Sequence, residues 1–372
     1  MVQTDILDEV RQFAAAEIRP YATAHEEQGG FPRSLVEKMA ANGYLGAAIP
    51  EAYGGLGLDP VRYGLFTEAI GMASDSVRAM LTVHTSLVGE TILRCGTREQ
   101  KEKFLPALAK GEIIAAFALT EPDTGTDAKN IRTMATASGT GHFLLNGRKK
   151  WITMGAMADL LLVIAVSAAG PSAFLVDTSS PGVGITPMRG LLAGGATHIA
   201  EISFDNVPVR EEDLLGREGS GFAYIANTAL DYGRYSVAWG GAAIAGEAYH
   251  AMVTYSRKRK QFGRSISSFQ LIRGLIGDAH TQLQATRALC LQAGQRRMQK
   301  HPDAMMETIV AKYHASKTAG RITADAVQIH GANGFSDSYP VARLFREAKT
   351  LEIIEGTSQV LQEAIAEFAI SY

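Results

Sequence analysis

Leu160-Leu161-Leu162-Val163-Ile164-Ala165-Val166 is the stretch on which the fold turns. It is apolar without a break, bounded by turn residues, and far too short to span a membrane, so it reads as a buried strand. Ala173 to Val176 is a second short run of the same kind. Ala200, Ile202 and Phe204 alternate with Glu201, Ser203 and Asp205, the period of a half-buried strand. Phe143-Leu144-Leu145 leads into Asn146-Gly147, a dipeptide typical of hairpin turns. Pro171, Pro181, Pro187 and Pro208 are read as lying between the strands. Together these signals place a β-domain over residues 114–217.

On either side the pattern is helical. Ile6, Val10, Phe13 and Ala14 recur at helical spacing, and Arg19-Pro20 is expected to end that segment. Phe31-Pro32 opens a second helix with Leu35, Val36 and Met39 on one side, and Asn42-Gly43 stops it. Pro50 to Pro60, with Gly54, Gly55 and Gly57, is a loop. Helices are predicted over 60–74, 76–94 and 97–110, with Gly111 as punctuation. Past Gly219-Ser220-Gly221, long helices are predicted over 222–258, 268–298 and 304–331, and a last one from near Ser358. Leu271, Leu275 and Leu283 share one face, with Ala279 between them. The chain therefore divides into 1–113 (helical), 114–217 (β) and 218–372 (helical), an α+β organisation. The βαβ alternation of a doubly wound fold is absent. The glycine pairs at 54–57 and 219–221 do not follow a strand as a phosphate-binding fingerprint requires, so any dinucleotide is bound in another way.

Bulk properties exclude several classes. At 372 residues, 46% hydrophobic and 20% charged, the chain has the composition of an ordinary globular protein of two or three domains. A net charge of -2 gives no general attraction to nucleic acid or an anionic membrane. Cys95 and Cys290 are far apart and match no metal spacing, which fits a reducing, cytoplasmic location. Met1-Val2-Gln3-Thr4-Asp5 has no basic start and no apolar run after it, so no secretory leader is expected. His84 and His330 belong to no metal-binding pattern and read as packed or surface histidines.

A set of short motifs carries the chemistry. Ile49-Pro50-Glu51-Ala52-Tyr53-Gly54-Gly55 is followed by Cys95-Gly96-Thr97-Arg98-Glu99-Gln100 and Ala118-Leu119-Thr120-Glu121-Pro122. Then come Asn146-Gly147 with Trp151-Ile152-Thr153, Arg259-Lys260-Gln261-Phe262-Gly263, Gln328-Ile329-His330-Gly331 and Ile354-Glu355-Gly356-Thr357-Ser358. In this order and at these spacings the chain resembles the acyl-CoA dehydrogenases across nearly its whole length. The resemblance implies their fold: an N-terminal helical domain, a middle β-domain and a C-terminal four-helix bundle.

It also implies FAD, held between the β-domain and the C-terminal helices. Phe117, Leu119, Thr120, Trp151 and Thr153 offer an apolar wall with a few hydroxyl and amide donors, the mix a flavin needs for ring contact and for hydrogen bonds at its polar edge. Gly125 and Thr126 are assigned to the cofactor too, Thr126 also to the substrate. Arg259, whose guanidinium suits a pyrophosphate, would reach the FAD of a neighbouring subunit with Gln261 and Phe262 beside it. Gln270, Gln328 and Gly331 would contact cofactor, as would Thr357 and Gln359. Dimers or tetramers follow, as does an electron acceptor such as an electron-transfer flavoprotein. Without the surrounding pattern, Trp151 and Phe117 would be plain core aromatics and the basic cluster a solvated helix end.

Desaturating a thioester requires loss of an α-proton while a hydride leaves the β-carbon, and a positioned carboxylate is the natural base. The resemblance implies that Glu355 is that base, with its own N–H polarising the thioester carbonyl. Ile353 and Ile354 are placed to desolvate it, and Gly356 permits an unusual backbone angle. Taken alone, Glu355 would be an exposed loop glutamate capping a helix.

The chain departs from the family pattern at Ile354 (usually aromatic), Met154 (usually Asn) and Ala332 (often Gly), which puts substrate transfer from the common branches in doubt. Asp231-Tyr232-Gly233-Arg234-Tyr235-Ser236-Val237-Ala238-Trp239-Gly240 and Glu352-Ile353-Ile354-Glu355-Gly356 are similar to acyl-carrier-protein dehydrogenases that make hydroxymalonyl or methoxymalonyl units for polyketides. Arg234 and Gly356 are then substrate-binding, Arg234 on the pantetheine side; an ion pair between Arg234 and Asp231 or another carboxylate is the competing reading. The other functions in play are an ordinary short- or branched-chain acyl-CoA dehydrogenase, a flavin oxidase, and a DNA-associated member of the fold. The near-neutral charge argues against the last. A salt-dependent DNA shift assay should show no retention at moderate salt; strong binding there would contradict this reading.

Overall fold

Short polar residues start the helices that frame the molecule. Asp59 accepts the Arg62 N–H (2.9 Å) ahead of a proline in the first turn, and Ser74 and Thr97 cap in the same way. Thr97 and Gln100 form a reciprocal box. Gln100 also donates to the carbonyls of Glu212 and Leu214, tying the helical and β segments together.

The computed structural model describes residues 5–371; Met1-Val2-Gln3-Thr4, read above for a leader, lies outside the described residues. The first segment holds helices α1 (Ile6–Phe13), α2 (Ala22–Gln28), α3 (Arg33–Ala41), α4 (Pro60–Ala73), α5 (Asp75–Leu81), α6 (Glu90–Cys95) and α7 (Arg98–Ala109). A π-helical stretch, Thr82–Gly89, joins α5 to α6 and is buried throughout. A seven-stranded sheet follows: β1 (Ala115–Ala118), β2 (Met134–Gly139), β3 (His142–Ile152), β4 (Leu160–Ser167), β5 (Gly170–Asp177), β6 (Val183–Pro187) and β7 (Ala200–Arg210). Its order is β1-β4-β2-β3-β7-β6, with β5 on β4. Then come α8 (Asn227–Lys258), a small hairpin of β8 (Lys260–Gln261) and β9 (Arg264–Ser265), α9 (Gln270–Met298), α10 (Ala304–His330), α11 (Val341–Leu351) and α12 (Ser358–Ser371). α8 to α11 pack as a bundle, and α12 lies on α10. No helix among the described residues is long and apolar enough to cross a membrane.

β4 carries the run quoted first, and Leu160 to Ala165 are buried, as an uninterrupted apolar strand requires. One apolar core joins the N-terminal helices, the sheet and the start of α8; a second lies within the C-terminal bundle.

The structure corrects four expectations. Arg19-Pro20 does not end the first helix: a π turn (Ala14–Ile18) and a 3₁₀ turn (Arg19–Tyr21) carry it on into α2. Pro20 sits in the first turn of the 3₁₀ stretch, where its missing N–H is not needed. Asn146-Gly147 is not a turn, because β3 runs straight through it and the chain reverses at Thr140-Gly141 instead. Gly147 has φ 148° at a register shift against β7, and a Cβ there would lie 2.7 Å from Thr133 Cα. Pro171, Pro187 and Pro208 lie inside strands. Pro171 sits at the start of β5, whose second side bridges Leu214 only at Phe174, Pro187 ends the edge strand β6, and Pro208 lies where β7 has outrun β6. Finally, Leu271 is 86% exposed, while Ala279 and Leu283 of the same face are buried.

Gly147→Ala should destabilise the protein by about 1–3 kcal/mol, since it adds a strained φ and a backbone clash. Urea unfolding checks this; an unchanged midpoint would show that β3 relaxes at no cost.

Candidate active site

Leu351 ends α11, and the Thr350 carbonyl accepts the N–H groups of Ile353 (2.9 Å) and Ile354 (3.0 Å). Six residues on, Ser358 N–H bonds Glu352 O (2.9 Å), while Thr357 Oγ1 accepts the Val360 N–H and caps α12. Between these anchors Glu355 takes φ 53° and Gly356 φ 100°. A left-handed glutamate is strained by roughly 1 kcal/mol or more. Two cations hold it there. Arg234 Nε of α8 donates to Glu355 O (2.9 Å), and Lys312 Nζ of α10 donates to Gly356 O (2.7 Å).

The turn aims the carboxyl inward. Glu355 is half-buried as a residue, yet its Oε2 is fully enclosed and has no hydrogen-bond partner among the described residues. It rests on Gly233 of α8: a Cβ there would overlap Oε2 and crowd Leu87 of the π-helical stretch. Burial pushes the Glu355 pKa up to about 7, against the opposing pull of Arg234, Lys312 and Arg78. Burial also holds Lys312 down, at about 8, and lowers Arg234. The competing ion pair from Arg234 to Asp231 is not made, because Asp231 is bonded to Arg297 (2.5 Å).

The β side approaches through the same stretch that carries Leu87. His84 Nδ1 accepts the Ala115 N–H (3.1 Å) at the start of β1, and its Nε2 bonds Leu108 O (3.0 Å). Burial lowers its pKa to about 4, so this packed histidine stays neutral. Phe117 and Leu119 are buried, and Thr120 and Thr153 half-buried. Beneath them Lys149, fully buried, donates to Leu119 O (2.9 Å) and Glu121 Oε1 (2.8 Å). Lys150 N–H bonds Thr120 O (2.9 Å), which seats the end of β3 beside the end of β1. Trp151 has φ 63° and is 51% exposed, turned outward and not packed as a core aromatic. Gly125 and Thr126 are exposed on the turn after Glu121. An apolar wall with a projecting indole and nearby polar groups suits a flat, polar-edged ring system.

A second cluster lies elsewhere. A cavity of about 430 Å³ is lined by Arg259, Gln261, Phe262, Gln328 and Gly331 together with Tyr255. Phe262 and Gly263, at φ 50° and 78°, make the tight turn of the β8–β9 hairpin, and Phe262 is 92% exposed at its tip. Glu355 does not line this cavity. Gln270 and Gln359 are exposed in the first turns of α9 and α12 and do not line this cavity. Sequence reading did not single out Leu87, Lys149 or Lys312. Gly233 stood inside a quoted segment without a role. No group of three potential metal ligands occurs among the described residues.

Comparison with known proteins accounts for nearly the whole chain. Residues 2–112, 116–207 and 219–370 match the profiles described as acyl-CoA dehydrogenase N-terminal, middle and C-terminal domains. An acyl-CoA dehydrogenase of Bacillus subtilis is 39% identical over 366 residues, covering 97% of this chain and 96% of that one. The structure of butyryl-CoA dehydrogenase from Megasphaera elsdenii superposes with a TM-score of 0.94 at 34% identity, covering 100% of this chain and 99% of the other. The structure of FkbI, for biosynthesis of the methoxymalonyl extender unit of the polyketide Fk520, superposes with a TM-score of 0.90 at 29% identity, covering 98% and 99%.

The raised pKa of Glu355 has a stability consequence. From about pH 4.5 to 7 the folded state holds a proton that the unfolded chain has released, so this group's contribution declines as pH rises through that window. Glu355→Gln removes that decline. The variant should gain on wild type between pH 5 and 8 by on the order of 1–3 kcal/mol. Urea unfolding of both proteins at the two pH values measures it; an equal difference at both would mean Glu355 titrates normally.

Proposed function

The chain belongs to the acyl-CoA dehydrogenase family, oxidoreductases that act on CH–CH bonds with FAD, and we propose that Glu355 is the base that removes the α-proton of its acyl-thioester substrate. The observation that carries this is the enclosed, unpartnered Oε2 of Glu355 on Gly233. A carboxyl near neutral pKa takes a proton far better than an ordinary surface glutamate and is still ionised in part at pH 7.

The residues present fit a flavin. Trp151 projects from a left-handed backbone instead of joining the core, and Phe117, Leu119, Thr120 and Thr153 supply apolar surface and hydroxyls beside it. Bound there, FAD supplies the acceptor for the hydride leaving the β-carbon. The chain's own part is to take the α-proton on Glu355 and to hold the thioester carbonyl at the Glu355 N–H, whose own carbonyl is already engaged by Arg234. Gly356 and Thr126 are the neighbouring substrate contacts in this reading. Arg259, Gln261, Phe262, Gln328 and Gly331 sit apart from Glu355, with Phe262 and Leu271 exposed nearby. That separation supports a site completed between copies of the chain, in a dimer or tetramer, with Gln270 and, at the Glu355 turn, Thr357 and Gln359 reaching cofactor. Turnover would also need an external electron acceptor, for which an electron-transfer flavoprotein is the reading.

For the thioester handle, the Bacillus relative favours free acyl-CoA. The segment Asp231 to Gly240 and the likeness to FkbI favour a second reading, a hydroxylated three-carbon unit on a carrier protein, on the way to a hydroxymalonyl extender.

Glu355→Gln should bind FAD and lose turnover by at least about 10³-fold; a variant keeping most of its rate would remove Glu355 from the role. Anaerobic titration of flavin absorbance then separates the handles. Bleaching by acyl-CoA supports the first, bleaching only by carrier-borne C3 units the second, and no flavin band after adding FAD would contradict both.

A further inference from the structure

Lys312 is fully buried on α10 and makes a single hydrogen bond, from Nζ to Gly356 O (2.7 Å). A buried ammonium needs countercharge. The charged groups facing it are Glu355, Arg234 and Glu352, and Glu352 is already bonded to Lys317 (3.1 Å) and Lys349 (3.4 Å). The Glu355 carboxylate is what remains.

Seen from Glu355, three cations bear on the carboxyl: Arg78 from α5, Arg234 from α8 and Lys312 from α10; the π-helical stretch that brings Leu87 adds none. Arg78 is neutralised by Asp75 (2.7 Å) and further held by Thr82 (2.7 Å). Arg234 is directed at the backbone carbonyl of Glu355. Neither Arg234 nor Lys312 has an ion pair of its own among the described residues, so both charges bear on the carboxylate, and of the two Lys312 is the fully buried one. It also fixes the carbonyl next to the base, on a turn whose two residues both carry positive φ.

We propose that Lys312 is a positioning residue for the proton-abstracting step: it pins the left-handed Glu355-Gly356 turn and, together with Arg234, supplies the charge that favours ionised Glu355. This rests on Glu355 being the base. With Glu355 ionised, its carboxylate offsets part of the buried positive charge of Lys312 and Arg234. Once the α-proton arrives on Glu355, the ammonium is left with the Gly356 carbonyl alone, which favours passing the proton onward.

Two variants separate charge from hydrogen bond. Lys312→Gln keeps a donor toward Gly356 O and removes the charge; Lys312→Met removes both. Two readouts are needed: the acid limb of the kcat–pH profile, and the infrared carboxyl band of Glu355, assigned by its loss in Glu355→Gln. The infrared titration requires no turnover and remains readable in a slow enzyme. In Lys312→Gln both the limb and the band should move to higher pH by about one unit, roughly a tenfold change in proton affinity, with the plateau kcat largely retained. Lys312→Met should show the same shift and a plateau lower by about tenfold. Lys312→Arg, which keeps the charge, should leave the limb near its original pH. Folding is checked by flavin content and the thermal midpoint. If limb and band stay in place in Lys312→Gln, the proposal is wrong even if the variant is slower, because a merely structural lysine lowers rate without moving a titration. Failure of the base assignment looks different: Glu355→Gln would turn over while the infrared shift persists.

Discussion

A carboxyl oxygen enclosed against a glycine, with no hydrogen-bond partner, is the constraint on which this structure depends. Burying a carboxyl without a partner costs a few kcal/mol unless it takes up a proton. Glu355 Oε2 is in that position because Gly233 offers no side chain and Leu87 excludes water from one side. The surrounding architecture holds this unfavourable arrangement in place. α11 and α12 clamp the loop at Thr350 and Ser358, Arg234 and Lys312 take successive carbonyls, and the bundle core behind them is continuous. A relaxed loop would turn the carboxyl to solvent, where it would be an ordinary acid of little use as a base.

The same logic runs through the β side. Lys149 is buried with Glu121, and that pair orders the Leu119 carbonyl and the Arg132-Thr133 backbone together. Burial raises the Glu121 pKa, but bonds from Lys149 and Thr133 outweigh it and hold the carboxyl below its usual range. Neutral His84 ties the π-helical stretch to β1, so Leu87, beside Glu355, and Phe117, on the apolar wall, are positioned by one rigid unit. π turns often occur at functional sites, and this one brings Leu87 against Gly233 and Glu355. Three of the candidate contacts, Trp151, Phe262 and Glu355, have positive φ, as do Met154, His198, Asn206 and Lys300 elsewhere.

Much of this was legible in the sequence. Uninterrupted apolar runs such as Leu160–Val166 report burial directly, and the long helices followed their 3.6-residue period. Asn146-Gly147 misled because local turn chemistry competes with register: Asn146 Oδ1 accepts the Asn206 N–H (2.9 Å) across to β7, and Gly147 is needed for close approach to Thr133. β1 is only four residues long, and β2 is exposed at most positions, so neither carries a periodic signal. Leu271 kept the spacing of a core face but is exposed, because the period of a helical face does not say how far along the helix its cover extends. At the site, Glu355 and Trp151 came from motif order. Lys312 left no trace, since a lysine in a helical run looks solvated until the fold buries it.

The central claim is that Glu355 alone performs the proton transfer, and α-proton exchange isolates that step. An acyl thioester carrying oxygen or sulfur in place of its β-carbon cannot give up a hydride, but its α-proton can still be removed and returned. With such a compound and the FAD-loaded enzyme in deuterated buffer, proton NMR should show wash-out of the α-signal for wild type and none above the buffer rate for Glu355→Gln. Exchange by Glu355→Gln at the wild-type rate would mean that another group takes the proton and that the enclosed carboxyl serves some other end.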